Sequence, residues 1–159
     1  MNRFPKISYL LLSTFLLVTS ANAHESVQFG ADVVISEIAA VAGPVGGHTV
    51  VEMYIDNDSS ESLYLNKAWS EVAENSIIIA RLGHMTAINL ESIAIPAGES
   101  ADFASSHLRI ELTGLNQPID PDDVFSVHLE FMRGKITVPV HVHSSIQYHS
   151  KSRYIFHKS

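Results

Sequence analysis

The sequence contains no cysteine. Thiolate nucleophiles, thiolate metal sites and disulfides are therefore excluded, and an exported form must be held together by packing. Cations are scarce: 10 Lys and Arg face 17 Asp and Glu, a formal net charge of -7. That balance argues against nucleic acid and anionic membrane surfaces as partners and is compatible with cationic ligands. The chain also lacks a Gly-rich phosphate loop, an HExxH helix and a nucleophile motif. Its carboxylates are scattered through turns without a specific acid–base pair, so hydrolytic chemistry has little to stand on. No segment carries a helical apolar stripe, and no apolar run of membrane-spanning length occurs after the N-terminus.

What is there begins with an address. Arg3 and Lys6 lead into Ile7–Val18, a 12-residue apolar run, followed by Ala21-Asn22-Ala23. This is the pattern of a secretory signal peptide over residues 1–23; the run is short of the ~20 residues that cross a bilayer. The expected location is periplasmic, with no membrane insertion after cleavage. Cleavage removes two cations and leaves eight against 17 acidic residues, a net charge near -9. It also makes His24 the first residue, whose free amine and imidazole form a chelating pair suited to Cu(II). Nothing else in the first ten mature residues supports a site there.

The mature chain reads as one domain over residues 24–143 with a tail over 144–159 containing His and Tyr. Period-two alternation dominates. Val27–Ile38 predicts one or two strands, and Ala42–Gly47 a loop. His48–Asp56 predicts a strand with Val51, Met53 and Ile55 on one face, and Asn57-Asp58-Ser59-Ser60 a turn after it. Further strands are expected around Trp69 and over Ser76–Leu82, the latter buried on both faces. A strand then precedes the turn Pro96-Ala97-Gly98, and another starts at His107. The polar segment Asn116–Asp123 excludes a central strand. Val124–Met132, with Phe125, Val127, Leu129 and Phe131 on one face, and a last strand with Ile136, Val138, Val140 and Val142 as its apolar face predict a hairpin. Seven or more such strands give an all-β fold, an antiparallel β-sandwich.

The metal-ligand inventory is the most informative chemistry. His and Met together suggest copper, because the soft thioether favours Cu(I) and imidazole suits several metals. All nine His lie in the mature part. His84 and Met85 are adjacent after Gly83, and twenty-one residues separate Met85 from His107. His141 and His143 share the outward face of the last strand and could bind one metal in a weak, exposed site. His48 and His128 read as structural or surface residues.

These residues resemble those of the periplasmic copper chaperones of the PCu(A)C family. The resemblance is carried by HTVVEMYIDN, ESIAIPAGES, HLRIELTGLNQPIDPDD and VHLEFMRGKITVPVHV, and covers residues 27–142. It implies a cupredoxin-like or immunoglobulin-like sandwich that binds copper through His and Met. It further implies delivery to a receiving protein, such as a cytochrome oxidase assembly component, without chemical turnover. The family's ligands are His, ten residues, Met, twenty-one residues, His, one residue, Met. His107 matches the third and Met85 the second by spacing, while Arg109 stands at the fourth. Glu74 occupies the first position, or Ser76 when alignment through ESIAIPAG moves the second ligand to Ala87. The expectation is a copper chaperone or buffer with a reorganised or weakened site at Met85 and His107, with His84 as an additional ligand. The alternative is a diverged binding or assembly module that has lost copper. A copper enzyme with His24 as an N-terminal brace is the weakest reading.

Overall fold

A computed structural model describes residues 26–81, 86–105 and 107–144. The signal-peptide reading, His24, His84, Met85 and the tail beyond Ser144 lie outside the described residues. Eleven strands carry the described chain: β1 (Val27–Phe29), β2 (Val33–Val41), β3 (His48–Asn57), β4 (Leu63–Trp69), β5 (Ala73–Ala80), β6 (Ile88–Leu90), β7 (Ile93–Ile95), β8 (Glu99–Asp102), β9 (Leu108–Leu115), β10 (Val124–Phe131) and β11 (Gly134–His143).

The strands follow one ladder, β6-β5-β9-β3-β2-β11-β10-β4-β7, with β1 paired to β2 and β8 to β3. Alternating apolar residues on β3, β10 and β11 all enter one core, with Val51, Met53, Leu129, Val138 and Val140 at 1% exposure or less. A sheet whose inward faces share a single core must curl upon itself, which produces the expected sandwich. Every strand pairing is antiparallel except β2 with β11, which run parallel. Ile78 and Ile79 are both buried, as the run of three isoleucines predicts.

Two local devices position everything that follows. In β2 the register slips by one residue between Ser36 and Ala39, where Glu37 has φ 54°. This bulge keeps Val33, Ile35, Ile38 and Ala40 all pointing inward, although strict alternation would turn the last two outward. It also brings Ala39 and Val41 to the outer face. The second device is the corner Pro96-Ala97-Gly98. Gly98 has φ 73° and the Glu99 amide donates to the Pro96 carbonyl at 3.2 Å, a type II turn that needs a residue tolerant of positive φ. The turn carries the chain from β7, paired to β4, to β8, paired to β3.

Asn57, expected only as a turn residue, clamps that corner. It is 1% exposed and its Nδ2 donates to the carbonyls of Glu61, Ile95 and Pro96 at 2.9–3.0 Å. The predicted strand before the turn is in fact broken at Glu91-Ser92 into β6 and β7, which lie at opposite ends of the ladder. This short strap joins the two edges, and the Ser76 hydroxyl donates to the Ala68 carbonyl across the same seam.

Candidate metal centre

The outer surface of β3 forks at Glu52. Its first half pairs with β9 through His48–Val51, and its second half with β8 through Tyr54–Asn57. Phe103, fully buried, fills the core beneath the fork, and its amide donates to the Met53 carbonyl at 2.9 Å. Burial of a ring of that size contributes roughly 1.5–3 kcal/mol. The chain then returns through Ser105 to His107 and enters β9 at Leu108.

His107 therefore precedes its strand instead of lying within it. Its amide turns to the Ser105 hydroxyl at 3.4 Å, and its carbonyl accepts from the Arg81 amide at 2.7 Å. The register Ile79–Arg109 and Ala80–Leu108 thus runs on to set Arg81 beside His107. The side chain repeats the tie: His107 Nδ1 lies 3.2 Å from the Arg81 carbonyl oxygen. A carbonyl can only accept, so Nδ1 carries a proton, and in the neutral tautomer that fits this bond Nε2 is the nitrogen with the lone pair. A backbone carbonyl fixing one imidazole nitrogen while the other points out is the usual support for a metal-binding His. The ring is exposed. Four residues, including His84 and Met85, separate Arg81 from Thr86 in sequence. His107 thus stands at the rung from which that segment departs.

Arg109 lies two residues further along the same face, opposite Ile79. On its other side the β3–β9 register leads to Glu52. The Glu52 carboxyl is pushed above its ordinary range, first by burial and then by Asp102; His143 and Arg109 pull it back down. Arg109 is thus a fixed cation set among carboxylates, where a soft donor was expected from the resemblance.

His141 and His143 occupy the outer face of β11 as expected, both exposed. They align with Ala39 and Val41 of β2. Three strand spacings, roughly 14 Å of sheet, separate β11 from β9. The structure therefore does not join this pair to His107. Among the described residues no group of three or more His, Asp or Glu could hold a metal ion.

His128 differs. Its Nε2 lies 2.7 Å from Glu71 Oε1, its Nδ1 2.8 Å from Thr137 Oγ1, and its ring stacks on Trp69 with centroids 5.1 Å apart. Both nitrogens are engaged within the fold, in line with a structural reading. Glu71 and His128 lie 57 residues apart, so no local sequence signal could pair them.

The family model described as "Putative lipoprotein LpqE-like" matches residues 32–142. No curated protein matches the chain in sequence. The copper-bound PCuAC domain from PmoF2 superposes with a TM-score of 0.64 at 15% identity, over 76% of this chain and 99% of that one. The apo PCuAC domain from PmoF1 gives 0.67 at 11% identity, over 76% and 100%. CuI-DR1885 from Deinococcus radiodurans gives 0.55 at 18% identity, over 69% and 78%. The resemblance drawn from the sequence is borne out: the fold is that of PCuAC domains.

Proposed function

Because the chain belongs to the LpqE-like family, and its fold is that of PCuAC domains, we propose that it is an exported copper carrier. Its site is built on His107, with Met85 and His84 as the further donors. The observation that carries this reading is the bond between His107 Nδ1 and the Arg81 carbonyl at 3.2 Å. It leaves Nε2 for a metal on a residue bonded to Arg81, and the sequence that follows Arg81 holds a soft thioether and a second imidazole, Met85 and His84. The copper-bound and CuI-bound domains of the same fold support the choice of metal. Copper is cargo here, held and passed to a receiving protein such as a cytochrome oxidase assembly component, with no chemical turnover. The leader over residues 1–23 supplies export to the periplasm. The sequence has no cysteine to carry a thioether-linked lipid, so anchoring by that route is not part of this reading.

A second reading has its own observation. Arg109 places a permanent cation two residues from His107 on the same face, which repels Cu(I). On that reading the domain is a binding or assembly module without copper.

Titration of the untagged mature chain with Cu(I) and Cu(II), against chelators of known affinity, separates the two. The carrier reading expects binding tighter than roughly micromolar that is lost in both His107→Ala and Met85→Ala. No such binding in either oxidation state leaves the module reading standing.

A further inference from the structure

The outer face of β11 carries two imidazoles that the His107 centre does not use. We propose that His141 and His143 form a second metal site, a two-imidazole chelate for a borderline dication such as Cu(II) or Zn(II). This site does not rest on the copper-carrier reading.

Residues two apart on a strand project from the same face about 6–7 Å apart, within reach of one ion. The backbone beneath them is held on both sides. β11 lies between β10 and β2 in the ladder, and His141 aligns with Val124 on one side and Ala39 on the other. The His143 carbonyl accepts from the Ala42 amide at 3.0 Å, and the intervening Val142 is bonded through both its amide and its carbonyl to Asp123 and Asp122. Val142 is 2% exposed, so its burial fixes both neighbours outward. The pair is therefore presented by rigid strand, not by a loop.

The β2 bulge completes the setting. By shifting register it places Ala39, a methyl group, outward between His141 and Glu52 on one rung across β11, β2 and β3. The small side chain in the middle puts no bulk of its own between the imidazole on one side of the rung and the carboxylate on the other. His143 acts electrostatically on Glu52, which places that carboxylate near the pair. Nitrogen donors beside a carboxylate, with no thioether among them, suit a dication better than Cu(I). Two protein donors agree with the absence, among the described residues, of any cluster of three; water fills the remaining positions.

The test uses the isotope-labelled mature chain with sub-stoichiometric Cu(II), read by NMR line broadening. The imidazoles of His141 and His143 and the amides of Ala39 and Val41 should broaden, and should broaden equally in His107→Ala. Zn(II) should shift the same signals without broadening them. The double variant His141→Ala/His143→Ala should lose both effects at Ala39 and Val41. Glu52→Gln keeps both imidazoles and should weaken binding by about threefold through loss of one nearby charge. Broadening that persists at Ala39 and Val41 in the double variant, or that never reaches them in the parent, overturns the proposal.

Discussion

His107 and His128 share a residue type and little else. Each ring is held at Nδ1, His107 by the Arg81 carbonyl and His128 by the Thr137 hydroxyl. At Nε2 they part. Glu71 occupies that nitrogen in His128, and Trp69 covers the ring. In His107 no bond from the described residues engages that nitrogen, and the exposed residue stands just before β9. One imidazole is consumed by the fold that surrounds it, and the other is oriented by the fold and left able to bind. The contrast lies in the partners: two side chains and a stacked indole against a single backbone carbonyl.

The largest expected effect is on the exposed member. Loss of a supporting residue around a metal typically costs 10–100-fold in affinity, and loss of a ligand at least as much. His107→Ala should therefore weaken Cu(I) binding by roughly 100-fold or more in chelator competition, with little change in the unfolding midpoint. His128→Ala should do the reverse. Losing the stack on Trp69 and the bond to Thr137 should cost about 1–2 kcal/mol in urea unfolding, with copper affinity unchanged. An equal fall in affinity for both variants would erase the distinction.

Arg109 sharpens the comparison from the other side. It lies on the face of His107, and its charge opposes a bound cation. Arg109→Met removes that charge and adds a thioether. Cu(I) affinity should rise by roughly tenfold, about 1.4 kcal/mol, measured by the same competition. Unchanged affinity would mean that Glu52 and Asp102 already neutralise the guanidinium, or that Cu(I) binds elsewhere.

The division between the two histidines was only half legible in the sequence. Strand alternation placed Val51, Met53, Leu129 and Val140 inward without error, because a period of two reports burial directly. The turn at Pro96-Ala97-Gly98 was legible because Gly98 is the residue a positive φ demands. Glu37 was not, since a bulge at a non-glycine leaves no compositional mark. The parallel pairing of β2 with β11 and the splitting of β6 from β7 depend on register between distant strands. Asn57 read as a turn former, while its three carbonyl partners include two nearly forty residues away. The role of His107 was suggested by motif spacing. The bond that fixes its tautomer needed Arg81, twenty-six residues earlier, and His128 needed Glu71.

The smallest effect concerns the carboxylates attached to the two regions, and it has opposite signs. Glu71, beside His128, is held below the ordinary carboxylate range by its own backbone amide and then by the His128 ring. In the window below the ordinary value the unfolded chain binds more protons, so this group makes stability rise with pH. Its contribution is present above the unfolded pKa and is lost as pH falls through the folded one. Glu52, at the fork beside Arg109, is raised, mainly by burial. There the folded chain binds more protons, and stability falls as pH rises from the unfolded value through the folded one. Glu71→Gln should therefore flatten the acid-side rise in the urea midpoint, and Glu52→Gln the decline just above the ordinary range. Slopes of the same sign for the two variants would contradict the charge environments assigned to the two regions. Both groups are at least partly exposed, so added salt should reduce each slope without reversing it.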